Sequence, residues 1–182
     1  MSNIGKKPVE VKEGVSVQVN NSKVVVTGPK GTLETKMPYG ISVVLEEGKA
    51  KVRKENETPQ LDMYSGLVRS LVANMITGVT SGFEKKLELN GVGFRAKVEG
   101  DTLVLNVGFA VPVRIKAPNG ISMKVDENII TVSGIDKELV GNIASIIKRV
   151  KIPDPYKAKG IKYVGERIRR KVGKAAKAVG GK

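Results

Sequence analysis

The sequence repeats itself. Pro38-Tyr39-Gly40-Ile41-Ser42 recurs as Pro118-Asn119-Gly120-Ile121-Ser122, eighty residues further on. The same offset pairs Gly28 with Gly108, Leu33 with Val113, Lys36 with Lys116 and Val52 with Val132. It also sets the turn Asn20-Asn21-Ser22 against Gly100-Asp101-Thr102. Chance can supply one short echo, but it does not keep turns and apolar positions in step over so long a stretch. A chain of 182 residues built this way is expected to fold as two copies of one unit of about 80 residues each.

Each copy has the same internal pattern. Val15, Val17 and Val19 alternate, a turn follows, and residues 23–27 are apolar and β-branched. In the second copy residues 93–98 lead through Gly100-Asp101 to residues 103–107. Alternation around turn residues predicts hairpins. Two further strands follow in each copy, residues 41–45 with 50–53 and residues 121–125 with 129–132, joined by Glu46-Glu47-Gly48 and Asp126-Glu127-Asn128. Helical spacing then appears: Leu67, Val68, Leu71, Val72, Met75 and Ile76 in the first copy, and Leu139, Val140, Ile143, Ile146, Ile147 and Val150 in the second. The expected fold is α+β. Two tandem, internally duplicated domains, residues 1–82 and 83–182, meet at Thr80-Ser81-Gly82. Each is a small antiparallel sheet with one helix packed on a face, because a bare sheet would leave an apolar face wet. A basic C-terminal extension completes the chain.

Charge is concentrated in that extension. Residues 148–182 hold 13 Lys or Arg and two acids, a net charge of +11, out of +14 for the whole chain. Such a segment calls for a polyanion. Pro153 and Pro155 fix φ and bias their neighbours to extended geometry, so residues 152–156 are expected to be stiff and non-helical. Lys157, Lys159 and Lys162 follow at short intervals, Tyr156 and Tyr163 stand at either end, and Gly160 allows a bend. Point charges and flat rings on a stiff loop suit phosphates and unstacked bases. Residues 164–178 carry Arg167, Arg169, Arg170, Lys171, Lys174 and Lys177 around a thin apolar content. They are expected to be disordered or marginal as a helix when free and ordered against a polyanion, and they lack the bulky apolar face of a membrane-surface helix.

Other chemistries find little support. There is no cysteine and no histidine. This removes disulfides, thiolate and imidazole metal sites, and Ser-His-Asp hydrolysis. No cofactor, metal or small-molecule substrate is expected. Residues 1–11 show no signal-like apolar region and no run is long enough to span a membrane, so a soluble, cytoplasmic protein is expected. Gly28-Pro29-Lys30-Gly31 matches the G-x-x-G of KH domains, but it lies between strand-like segments and is expected to be a hairpin turn whose Lys30 could still touch a phosphate. Gly91-Val92-Gly93 lacks the third glycine and the helix of a dinucleotide fingerprint and predicts a bulge or bend ahead of the second hairpin. Glu84 with Glu88, and Glu46 with Glu47, are expected to be surface charge. Lys85 and Lys86 either extend the basic face or protect a strand edge.

Several stretches resemble one family. Residues 153–163, PDPYKAKGIKY, resemble the signature of the bacterial L-six family of large-subunit ribosomal proteins. Residues 27–33, TGPKGTL, and the stretch from Gly66 through Gly78-Val79-Thr80 to Gly91-Val92-Gly93-Phe94-Arg95-Ala96 are similar to it too. The likeness covers nearly the whole chain. Ala158 stands where the family usually has glycine, and Lys162 where arginine is common. The resemblance implies two α+β domains that arose by duplication. It implies an architectural, non-enzymatic role on the ribosome in translation, bound to 23S-type ribosomal RNA mainly through the C-terminal domain. It also implies a place near the stalk base and the sarcin–ricin loop, among neighbouring large-subunit ribosomal proteins. The candidate rRNA-binding residues are Tyr156, Lys157, Lys159, Lys162, Tyr163, Arg167, Arg169, Arg170 and Lys171. The alternative is a free-standing DNA- or RNA-binding architectural protein, since phosphate contacts alone carry no sequence information.

Overall fold

The structure, a computed structural model, describes residues 4–20, 23–46 and 48–171. The predicted turn residues Asn21 and Ser22, the turn residue Glu47, and everything from Val172 on, including Lys174 and Lys177, lie outside the described residues. The chain divides into two compact units. One runs to Phe83 and takes in Gly134–Lys137; the other holds Glu84–Ser133 and the chain from Glu138.

The first unit contains β1 (Val9–Glu10), β2 (Ser16–Asn20), β3 (Lys23–Gly28), β4 (Gly31–Lys36), β5 (Ile41–Glu46), β6 (Lys49–Lys54) and α1 (Pro59–Thr80). Its strands divide between two three-stranded sheets, ordered β2-β3-β4 and β1-β6-β5. β2 and β3 pair antiparallel with Val17 opposite Val26, and β3 pairs with β4 up to Gly28 opposite Gly31. Gly28-Pro29-Lys30-Gly31 is therefore a hairpin turn, as its sequence context predicts. Thr58 caps α1, its hydroxyl accepting from the Leu61 N–H at 3.3 Å, and Pro59 follows where a missing N–H costs nothing. Val68, Val72, Met75, Ile76 and Val79 of α1 join Val17, Val24 and Val26 in one core. The predicted helical stripe is wider than the buried one, for Leu67 remains half exposed.

The second unit contains β7 (Phe83–Asn90) past its first residue, β8 (Arg95–Glu99), β9 (Thr102–Asn106), β10 (Val113–Lys116), β11 (Ile121–Asp126), β12 (Ile129–Gly134), α2 (Lys137–Val150) and β13 (Gly160–Tyr163). Its sheets are ordered β10-β9-β8 and β11-β12-β7-β13. Val140, Ile143, Ala144 and Ile147 are the buried face of α2, while Leu139 and Ile146 of the predicted stripe stay more than a third exposed. Leu87, Leu103, Leu105, Ile130 and Ile161 are fully buried. At Gly91-Val92-Gly93 the chain bends: the Phe94 N–H donates to the Gly91 carbonyl at 3.3 Å and Gly93 has φ +76°.

The register refines the repeat. Asn20 pairs with Lys23 and Glu99 with Thr102, so the two hairpins correspond at an offset of 79 residues. After them the offset is eighty, with β5 and β11 starting at Ile41 and Ile121. The extra residue sits in the longer β9–β10 connection. A one-residue slip inside a strand would have turned every side chain to the other face; a loop absorbs it at no such cost.

Candidate nucleic-acid interface

After α2 the chain does not leave the domain as a free tail. The Ile161 N–H donates to the Lys151 carbonyl at 2.8 Å, and β13 pairs antiparallel with β7, Ile161 opposite Leu89 and Tyr163 opposite Leu87. The half of the basic extension up to Tyr163 is therefore built into the sheet, and Ile161 is part of the core. Gly160 makes the return possible. Its φ is +153°, and a Cβ there would lie 2.6 Å from Pro153 Cα and 2.8 Å from the Lys151 carbonyl oxygen.

The loop between α2 and β13 is held by its own backbone. The Asp154 N–H donates to the Lys159 carbonyl at 3.0 Å, and the Ala158 N–H donates to the Asp154 carbonyl at 2.7 Å. The Asp154 carboxylate accepts from the N–H groups of Tyr156 at 3.3 Å and Lys157 at 3.0 Å. This is the turn chemistry that aspartate favours. Pro153 and Ala158 are buried beneath the loop. Ala158 has φ +56°, so this position does need positive φ, and alanine adopts it at a cost of about 1–2 kcal/mol. Facing out from this frame are Tyr156, more than half exposed, Lys157 and Lys159. Neither lysine has an ion-pair partner among the described residues.

The segment after β13 is tethered back to the loop. The Glu166 carboxylate accepts from Lys148 Nζ at 2.6 Å and from the Tyr163 N–H at 3.0 Å, and the Lys171 N–H donates to the Pro155 carbonyl at 2.9 Å. The Lys148 ammonium first, then the Tyr163 N–H, hold the Glu166 carboxyl below its ordinary range. Arg167, Arg169, Arg170 and Lys171 are exposed and unpaired among the described residues. Residues 164–171 contain no helix.

The candidate residues thus fall into two groups. Tyr156, Lys157, Lys159, Arg167, Arg169, Arg170 and Lys171 are exposed on segments joined through Pro155 and Lys171. Lys162 and Tyr163 are engaged within the domain. Lys162 Nζ lies 3.2 Å from Glu88 Oε2, and the Tyr163 ring has the Lys148 ammonium 4.7 Å and the Lys85 ammonium 5.7 Å from its centroid. Two cations on one ring are favourable, and Tyr163 takes Lys85 into the site. Lys151 lies 4.7 Å from the Phe109 centroid in the same way. No spacing in the sequence signals these partners, because each joins residues far apart in the chain. Lys30, by contrast, is turned to its own unit: its N–H donates to the Val79 carbonyl at 3.0 Å and its ammonium to the Ser81 carbonyl at the end of α1.

Among the described residues no cluster of acidic, His or Cys side chains could hold a metal ion, and no helix is long and apolar enough to cross a membrane. The Glu84 and Glu88 carboxylates pair with Lys86 and Lys162. The profile of the family described as ribosomal protein L6 matches residues 11–82 and 90–164, one stretch for each unit. The chain belongs to the ribosomal protein L6 family. It is 51% identical over 179 residues to the large ribosomal subunit protein uL6 of Synechococcus sp. strain JA-3-3Ab, covering 98% of this chain and 99% of that protein. It is 50% identical over 176 residues to uL6 of Syntrophomonas wolfei, covering 96% and 98%. It is 48% identical over 178 residues to uL6c of Guillardia theta, covering 97% and 99%. Members of the L6 family are structural components of the ribosome, so the role of this chain is structural and not catalytic.

Proposed function

We propose that the chain is a structural constituent of the large ribosomal subunit and binds 23S-type ribosomal RNA mainly through its C-terminal domain, residues 83–182. The proposal includes a place near the stalk base and the sarcin–ricin loop, beside other large-subunit proteins. The observation that carries RNA binding is the Asp154-braced loop: exposed Tyr156, Lys157 and Lys159 on a frame fixed by backbone hydrogen bonds, with Arg167, Arg169, Arg170 and Lys171 tied back to it through Pro155. A loop already fixed loses little freedom on binding, so its cations neutralise phosphates at low entropic cost. Tyr156 offers a ring for stacking worth about 1–3 kcal/mol. Lys162 and Tyr163 support the frame more than the contact.

Deleting residues 148–182 would not test this cleanly, because it removes β13 and the buried Ile161. Glutamine at Lys157, Lys159, Arg167, Arg169 and Arg170 leaves the core alone. The expected result is weaker binding to a large-subunit rRNA fragment, with the slope of log K against log salt reduced by about 0.7–0.9 for each phosphate no longer neutralised. An unchanged slope would overturn the proposal. Equal wild-type affinity for duplex DNA and the rRNA fragment would favour a free-standing architectural protein instead.

A further inference from the structure

The corresponding outer faces of the two hairpin sheets differ in a way that duplication alone does not explain. In the second unit, β8 places Lys97 opposite Val104, and β10 places Arg114 opposite the same Val104 from the other side. Arg95 and Glu99 share that face on β8, and Lys116 shares it on β10; all five are exposed, while Leu103 and Leu105 of β9 point into the core. Two rows of cations therefore flank a central strand with half-buried Thr102 and Asn106 and a buried Val104 between the rows. Neighbouring strands lie about 4.8 Å apart, so the rows are about 10 Å apart, with about 7 Å between cations along each. Among the described residues Glu99 is the only acid on the face, and its 3.8 Å approach to Lys97 is a loose, exposed contact.

Residues 84–147 hold eight Lys or Arg and eight Asp or Glu, for no net charge, yet four of those cations stand together on one face. The first unit supplies an internal control. Its corresponding face, with β2, β3 and β4 in the same order, carries Ser16, Gln18 and Asn20 on β2, Lys23 on β3, and Glu34 and Lys36 on β4, with Glu34 paired to Lys23 at 3.0 Å, so Lys36 is the one cation of this face that keeps a counterpart in Lys116. Protection of sheet edges does not require four cations, for the first unit's β2 edge has no charge on this face and its β4 edge has only Glu34 and Lys36.

We propose that the outer face of β8-β9-β10 is a second RNA-binding surface that grips the phosphate backbone. It has no aromatic ring, so it lacks a platform for stacking bases, and it reads charge spacing rather than sequence. Its partner is the phosphate backbone of a structured RNA. This rests on the RNA-binding proposal above.

The test is the salt dependence of binding to large-subunit rRNA. A variant with Gln at Arg95, Lys97, Arg114 and Lys116 is expected to lower the slope by about 3 and to weaken binding at least tenfold at about 0.1 M salt. The pair Arg114→Gln and Lys116→Gln, on an edge strand, is expected to lower it by about half that amount and serves if the fourfold variant misfolds. Adding Gln18→Lys and Glu34→Arg to the fourfold variant returns three charges to the first unit's face and is expected to leave the slope low. Recovery of the wild-type slope there would overturn the proposal, since net charge would then suffice. A wild-type slope in the fourfold variant, with the Lys157 and Lys159 variants still impaired, overturns the second surface alone. If the loop variants are also unimpaired, RNA binding by this domain fails as a whole. Loss of assembly into particles with an unchanged slope would assign the face to a protein neighbour and overturn it as well.

Discussion

The Pro29-Lys30 turn of the first unit and the loop from Ile152 to Gly160 of the second are made of the same residues and use them in opposite directions. Both combine proline, lysine and a glycine at positive φ. In the first, Gly28 sits so close to α1 that the lysine closes over the helix end and gives its N–H and its ammonium to Val79 and Ser81. In the second, an aspartate satisfies the turn's N–H groups, and the lysines are left to solvent. The difference teaches that a basic loop is available to a partner only when something else has taken over its internal hydrogen bonding.

The largest effect should come from Gly160→Ala. The new Cβ would meet backbone atoms of Pro153 and Lys151 that cannot move independently, at a φ unsuited to alanine. Urea unfolding should show a loss of about 3 kcal/mol or more, and rRNA affinity should fall with it. Gly28→Ala comes next. Its Cβ would lie 2.6 Å from Val79 Cγ2 and 3.1 Å from the Val79 carbonyl oxygen, costing about 2 kcal/mol. Its rRNA salt slope should stay as in the wild type, and a lowered slope would erase the contrast between the loops.

Much of this contrast was legible beforehand. The repeat announced two units, and Pro153 and Pro155 announced a stiff loop. The return of residues 160–163 to β7 was not legible, because a four-residue strand has too little periodicity to name a partner some seventy residues away. Nor was the pairing of Lys162 with Glu88, which turns one expected phosphate contact toward the domain. Helical spacing marked Leu67 and Ile146 as buried, but it gives the direction of an apolar face and not the width its sheet can cover. The G-x-x-G was correctly a turn, yet its lysine's destination depended on the end of a helix fifty residues on.

Smaller effects sharpen the same comparison. The Lys148–Glu166 pair, each partner less than a third exposed, braces the segment that folds back on the second loop. Its glutamate is held below the ordinary value of 4.5, so its contribution is complete above that pH and is lost as pH falls through the lowered value. Wild type should exceed Glu166→Gln by about 1 kcal/mol at neutral pH, with the gap closing in acid; thermal melts from neutral pH down into the acid range would show it. Last, Lys30→Met should cost about 0.5 kcal/mol through loss of a cation at a helix C-terminus and leave the salt slope alone. Lys157→Met should do the reverse, leaving the melting temperature and lowering the slope by about 0.7–0.9.

The offset of 79 within the hairpins has a practical corollary for building chimeras. A cassette of residues 16–27 replaces residues 95–106 with inward and outward positions kept, Gln18 landing on Lys97 and Val17 on Ala96. Cut by the ruler of eighty that the rest of the duplication obeys, the same graft would seat Gln18 in the place of inward Val98 and expose a row of valines. Grafts made both ways would show, by solubility alone, which ancestral numbering the two halves still share.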